Sequence, residues 1–233
     1  MRRAAPPSPT ATVEELEKAG DDLRTEKSYA DALDYYHAAI QKNGNSAQLH
    51  NKAGIAYLQL MRHDEAQREF KRALKLDKNH ADARNNLGVI YYMDRKYGKA
   101  VKEYRKAIRL KDTSASFYSN LGTALFADKK YDEATAEYLR ALELDPMIFE
   151  RQSTGGVQAH LASPADKARY AYTLAKIYAQ SGDNDRCLIY LKKAIEEGYP
   201  KIDNVYKEDE FAAVRQDPRF AELMATKITV LPN

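Results

Sequence analysis

Four columns of small and aromatic residues recur through this chain at one fixed step. Gly20, Gly54, Gly88 and Gly122 stand 34 residues apart. Ala32, Ala66, Ala100 and Ala134 keep the same step, as do Ala39, Ala73, Ala107 and Ala141, and Tyr36, Phe70, Tyr104 and Tyr138 make a fourth column. A period of this length marks a repeat architecture, in which one repeat is a supersecondary unit too small to bury its own apolar face. The chain must stack its repeats to make a core, so each repeat contacts its sequence neighbours.

Each repeat reads as two helices. Leu87, Ile90 and Tyr91 have helical spacing, a short polar turn such as MDRKYG or ADKKYD follows, and a second amphipathic stretch such as EATAEYLRALELDP closes the repeat. Small residues in the glycine and alanine columns let the two backbones approach, and the aromatic column fills the space between hairpins. At NNLGVIYYMDRKYGKAVKEYRKAIRL and SNLGTALFADKKYDEATAEYLRALELDP the chain closely resembles the tetratricopeptide repeat family. The resemblance implies an all-α fold, a right-handed superhelical solenoid of antiparallel helix pairs with a C-terminal helical cap. Repeats are expected at 13–46, 47–80, 81–114 and 115–148. A fifth, divergent one at 168–201 rests on Leu174, Ala175, Tyr178, Ala194 and Ile195, with Cys187 in the alanine column and Leu191 in the aromatic one.

Three stretches fall outside the period. Residues 1–12, rich in Pro, Ala, Ser and Thr, are expected to be a disordered leader. Residues 149–167 read as an inserted loop: MIFERQ starts a helix that the glycines of STGG stop, 152–163 run free, and Ser163–Pro164 start the next helix. Residues 202–233 read as capping helices and a tail, with Phe211, Val214, Phe220 and Leu223 covering the open end of the last repeat.

Composition excludes several functions. No run of about 18 apolar residues is present, so no transmembrane helix is expected. The chain is expected to be soluble: cytoplasmic, or periplasmic if its N-terminus is what remains of a trimmed export signal. Cys187 is the single cysteine, and the histidines at 37, 50, 63, 80 and 160 include no i, i+4 pair. Ser153–Gly156 lacks the lysine of a phosphate loop. No catalytic residue, metal, cofactor or small-molecule substrate is therefore expected. Most of the 17 tyrosines fall in repeat columns, as packing demands.

Two surfaces remain for partners. The resemblance implies that first helices line a concave groove, which in this family takes an extended peptide or a partner helix. Candidate groove residues are Asn51, Asn85, Asn86, Tyr92, Asn120 and Thr123. A side-chain amide both donates and accepts, as a peptide backbone requires. Asn86 and Asn120, one repeat apart, resemble the asparagine ladder with which family members clasp peptide backbones, and Lys52 interrupts it one repeat earlier. The clamp that other members use for acidic chaperone tails is not matched, since only Asn86 corresponds. The second surface is basic. Residues 47–114 carry 16 basic against 8 acidic residues. Arg68, Lys71, Arg72, Lys75, Lys102, Arg105, Lys106 and Arg109 fall on second helices, the convex side, where nucleic acid or another anionic partner is the alternative ligand. Glu69 and Glu103 interrupt that patch.

Overall fold

Helix starts follow the sequence period. In the computed structural model, which describes residues 4–150 and 164–226, the first helices are α1 (Val13–Thr25), α3 (Ala47–Gln59), α5 (Ala81–Met93) and α7 (Ala115–Ala127). The second helices are α2 (Tyr29–Lys42), α4 (His63–Leu76), α6 (Tyr97–Leu110) and α8 (Tyr131–Leu144). No strand occurs among the described residues, and consecutive helices pack as pairs. Local chemistry sets the starts. Thr12 and Glu15 form a reciprocal capping box, Ser46 Oγ accepts from the Leu49 N–H, and His80 Nδ1 accepts from the Ala83 N–H.

Each hairpin turns through one left-handed residue. Lys27, Met61, Arg95 and Lys129 have φ of 61°, 60°, 59° and 62°, again 34 residues apart, and Gly182 (φ 79°) takes the same place in the fifth hairpin. In the first turn the Lys27 N–H donates to Arg24 O (3.0 Å) and the Ser28 N–H to Leu23 O (2.9 Å). That pair of bonds satisfies carbonyls left over at the end of α1. Met61 is consequently 68 % exposed, an apolar side chain placed by its backbone and not by packing.

Within each hairpin the glycine column lies under the aromatic column. A Cβ on Gly88 would stand 2.7 Å from Tyr104 Cε1, and one on Gly54 2.5 Å from Phe70 Cε1. Both are closer than real Cβ contacts allow. Tyr36, Phe70, Tyr104 and Tyr138 are buried as packing residues. Two of their hydroxyls find partners: Tyr36 donates to Asp21 Oδ1 (2.8 Å) and Tyr138 to Thr123 Oγ1 (3.2 Å). Burial raises the pKa of Tyr104.

The chain divides into two compact modules, Met1–Val157 and Gln158–Asn233. In the first, residues 4–12 are not the free leader that composition implied. Lys42 Nζ donates to Pro9 O (2.8 Å) and Ala11 O (2.6 Å), and Tyr35 OH donates to Ala5 O (3.0 Å). Prolines 6, 7 and 9 bring no N–H for local turns, and α2 supplies the donors. MIFERQ also departs from expectation. Residues 147–150 form turns, with the Ile148 N–H on Asp145 O and the Glu150 N–H on Met147 O, and the Phe149 ring packs edge-on against Tyr138 (5.5 Å). The expected free stretch 152–163, with its Ser163 cap, lies outside the described residues.

The second module holds α9 (Pro164–Gln180), α10 (Asn184–Glu196), three 3-10 turns (Ile202–Tyr206, Asp209–Phe211, Val214–Gln216) and α11 (Pro218–Thr226). Cys187 and Leu191 are fully buried in the alanine and aromatic columns, and burial pushes the Cys187 thiol up to about 12. Phe211, Val214 and Phe220 are buried as expected. Leu223 is only half-buried, and Met224 takes its place because positions 220 and 224 share one face of α11. No described helix is long and apolar enough to cross a membrane.

Gly88→Ala is expected to lower the urea midpoint by an amount equivalent to about 1–3 kcal/mol, the cost of forcing a methyl into a packed contact. Gly98→Ala, where a Cβ meets nothing within 4 Å, should raise the midpoint instead. A second expectation concerns pH. Burial acts to raise the Glu210 pKa, but hydrogen bonds from its own backbone N–H, Lys176 and Gln180 outweigh it and hold the carboxyl below its ordinary 4.5. A depressed pKa stabilises the fold above the unfolded value, and that stability is lost as pH falls through the folded value. Wild type should therefore melt above Glu210→Gln at pH 6, and acidification below about pH 4.5 should close the gap.

Candidate functional site

The first helices present positions 5 and 6 of each repeat side by side, and the structure links them across repeats. Asn86 Nδ2 donates to Asn51 Oδ1 (3.0 Å), and Asn120 Nδ2 donates to Asn85 Oδ1 (3.0 Å). Within α5, Asn85 Nδ2 donates to Asn86 Oδ1 (3.3 Å). Four amides thus form one chain from α7 through α5 to α3. In both cross-repeat rungs, position 6 of the later repeat donates to position 5 of the earlier one.

The lysine that interrupts the asparagines obeys the same rule. Lys52, at position 6 of the second repeat, reaches Glu17, at position 5 of the first (Nζ–Oε1 2.6 Å), and also Asp21 (2.5 Å). Its side chain is 15 % exposed. The ladder is not broken there; one rung is ionic. Asn86 and Asn120, equivalent positions one repeat apart, each bond to the repeat before it. The 35-residue offset of Glu17 to Lys52, Asn51 to Asn86 and Asn85 to Asn120 was the signal available in the sequence.

These amides are enclosed by one another and by the helices. Asn51, Asn85, Asn86 and Asn120 are 4–9 % exposed. Buried polar groups are costly unless bonded, so the ladder first solves a packing problem. It does not exhaust the amides. Each of Asn85 and Asn86 gives one N–H and takes one hydrogen bond, leaving a second N–H and a second lone pair. Thr123 is also buried but stands apart, accepting from Tyr138. Tyr92 is half-buried with its ring 5.6 Å from that of Tyr97, and the equivalent pair one repeat later is Phe126 and Tyr131 (5.2 Å).

The basic residues lie on α4 and α6 at i, i+3, i+4 and i+7, one stripe per helix. All are exposed except Lys106, which is half-buried. Arg105 pairs with Glu133 (2.7 Å) and Lys106 with Glu103 (2.6 Å); Glu103 also meets Arg84 (3.3 Å). Glu69 does not interrupt the stripe as expected, because its carboxylate is turned to His50 Nδ1 (2.6 Å). Among the described residues, no set of three or more His, Cys, Asp or Glu is placed to hold a metal.

Family models described as Tetratricopeptide repeat match residues 17–66 and 51–115, 115–147, and 168–197. No curated protein matches the sequence. Among solved structures, a crystal structure of MamA is similar at 22 % identity and a TM-score of 0.53, over 76 % of this chain and 93 % of that one. MamA 41-end from Desulfovibrio magneticus RS-1 is similar at 19 % identity and 0.56, over 79 % and 94 %. YrrB, described as a TPR protein with an unusual peptide-binding site, is similar at 20 % identity and 0.52, over 83 % and 90 %.

Asn85 accepts from Asn120 across the repeats and donates to Asn86 within α5, so Asn85→Ala should orphan Asn86 Oδ1 and Asn120 Nδ2 and cost about 1–3 kcal/mol. A double-mutant cycle on Asn85 and Asn120, read by urea unfolding, should return a coupling above about 0.5 kcal/mol. Additive losses would mean that the rung contributes nothing to stability.

Proposed function

We propose that this chain, a member of the tetratricopeptide repeat family, is a non-catalytic adaptor that holds an extended segment of a partner protein along the first helices of repeats two to four. The observation that carries the reading is the surplus hydrogen-bonding capacity of the amide ladder. A bound strand offers alternating N–H and C=O groups whatever its side chains, and an amide with one spare donor and one spare acceptor can meet both. The ladder holds these amides in place before any ligand arrives, so little ordering remains to be done on binding. Tyr92, half-buried on the same helix as Asn85 and Asn86, gives an apolar side chain of the segment a place to rest. That YrrB, similar in fold, is described with a peptide-binding site supports a peptide as the ligand class.

The basic stripes support a second, separate reading, association with nucleic acid or another anionic partner. Arg68, Arg72, Lys75, Lys102 and Arg109 form no ion pair among the described residues, so their charge is available to a ligand. Retention of duplex DNA at 50 mM salt that falls steeply by 200 mM is the expected signature, since phosphate contacts release counterions. Salt-independent retention, or none at low salt, removes this reading.

For the groove, peptides selected from a random display library on the whole chain provide the probe. Asn86→Ala with Asn120→Ala should weaken them about tenfold, the equivalent of one to two lost hydrogen bonds. Undiminished affinity in a variant that keeps its helix content would refute the proposal.

A further inference from the structure

The fifth hairpin differs from the others in the columns that the ladder and groove occupy. Positions 5, 9 and 13 are Asn51, Ile55 and Gln59 in the second repeat, Asn85, Val89 and Met93 in the third, and Ser119, Thr123 and Ala127 in the fourth. In the hairpin that starts at 168 they are Tyr172, Lys176 and Gln180. None of the first four repeats has a cation in these columns.

All three side chains are engaged, and all by one short segment. Tyr172 OH donates to Glu208 Oε2 (3.1 Å), Lys176 Nζ pairs with Glu208 (3.2 Å) and Glu210 (3.1 Å), and Gln180 Nε2 donates to Glu210 Oε1 (3.3 Å). Phe211, fully buried, sets its ring 5.6 Å from that of Tyr172, whose other neighbour is the stacked ring of Tyr199 at 4.4 Å. Asp209, between the two glutamates, is exposed. The contacts therefore select a pattern: carboxylate, any residue, carboxylate, aromatic.

A plug over the end of a repeat array needs only apolar area facing in and polar groups facing out. Ile202, Val205 and Phe211 supply that area, so the two ion pairs and two side-chain hydrogen bonds to carboxylates exceed what capping requires. They select for negative charge at 208 and 210. The segment is also self-contained. Its backbone bonds close within itself, as Lys207 N–H to Asn204 O, Phe211 N–H to Glu208 O and Ala212 N–H to Asp209 O. Arg215 staples it by donating to Val205 O and Glu208 O (both 2.8 Å). Among the described residues it makes no backbone hydrogen bond to α9.

We propose that the α9 face formed by Tyr172, Lys176 and Gln180 is a second binding site, for an acidic segment of the pattern Glu-x-Glu-Phe in a partner protein, and that residues 202–211 are its resident ligand in cis. A partner segment of the same chemistry competes for this face, and the tethered segment sets the threshold that it must exceed. A short tether gives an effective concentration on the order of millimolar, so only a strong or locally concentrated partner enters. This site is separate from the asparagine ladder and stands or falls without it.

The probe is a fluorescein-labelled peptide with the sequence of residues 201–216, titrated against the full chain by anisotropy. Glu208→Lys with Glu210→Lys, which turns the tethered ligand's charge against Lys176, should bind the probe about tenfold or more tighter than wild type does. Adding Lys176→Glu to that variant should abolish binding, and a probe carrying Gln at 208 and 210 should not bind. No saturable binding to the charge-reversed chain at wild-type helix content, or binding indifferent to Lys176, overturns the proposal. Should charge reversal prevent folding, Glu208→Gln with Glu210→Gln replaces it with the same expected order of affinities. Hydrogen exchange on wild type gives an independent decision. Saturating probe should speed exchange in 202–211 while leaving α2 to α7 unchanged, and unaltered exchange in 202–211 overturns the proposal equally.

Discussion

Everything in the repeats depends on a ring lying on a backbone. Gly20, Gly54, Gly88 and Gly122 leave room for the face of Tyr36, Phe70, Tyr104 and Tyr138, and the Cβ that any other residue would carry falls within van der Waals exclusion of that ring. The contact fixes how closely the two helices of a hairpin approach. It also sets which faces remain for the neighbouring hairpin, because the buried alanines at 32, 66, 100 and 134 sit on the same second helices. Since every hairpin repeats the contact, every first helix meets the next in the same relation, and positions 5 and 6 of successive repeats come within hydrogen-bond distance without further adjustment.

The amide ladder is thus a by-product of regular stacking that acquires its own chemistry. Polar side chains between close-packed helices must be bonded or they destabilise. The chain meets this with amides where a neutral pair suffices, and with Lys52, Glu17 and Asp21 where charges meet at the first junction. The same logic governs the second module, where Tyr172 and Lys176 find their partners on a segment that is not a repeat at all.

Much of this was legible in the sequence because periodicity reports packing directly. The glycine, alanine and aromatic columns named the core, and even Cys187 and Leu191 in the divergent fifth repeat could be placed by column. The left-handed turns were not legible, because four of the five carry Lys, Met or Arg where glycine would have announced the conformation. The bonding pattern of the asparagines was missed for another reason. Columns align identical positions, whereas the rungs join position 5 to position 6, a step of 35 that a search for 34 passes over. The contacts of residues 4–12 with Lys42 and Tyr35 were hidden by composition, since a proline-rich segment reads as unstructured until its carbonyls are matched with donors more than 25 residues away.

The rungs also give the array a sense of direction. A donor always comes from the later repeat and an acceptor from the earlier, so neighbouring repeats meet as unlike ends. Repeats that share one backbone geometry are for that reason not exchangeable parts. Lys52 needs a carboxylate behind it, and only the first repeat offers Glu17 and Asp21; placed after the third repeat it would face Asn85, and its charge would be enclosed without an anion. Order along the chain is written into the junctions, and a shuffled array with the same repeats and the same core would be a less stable molecule.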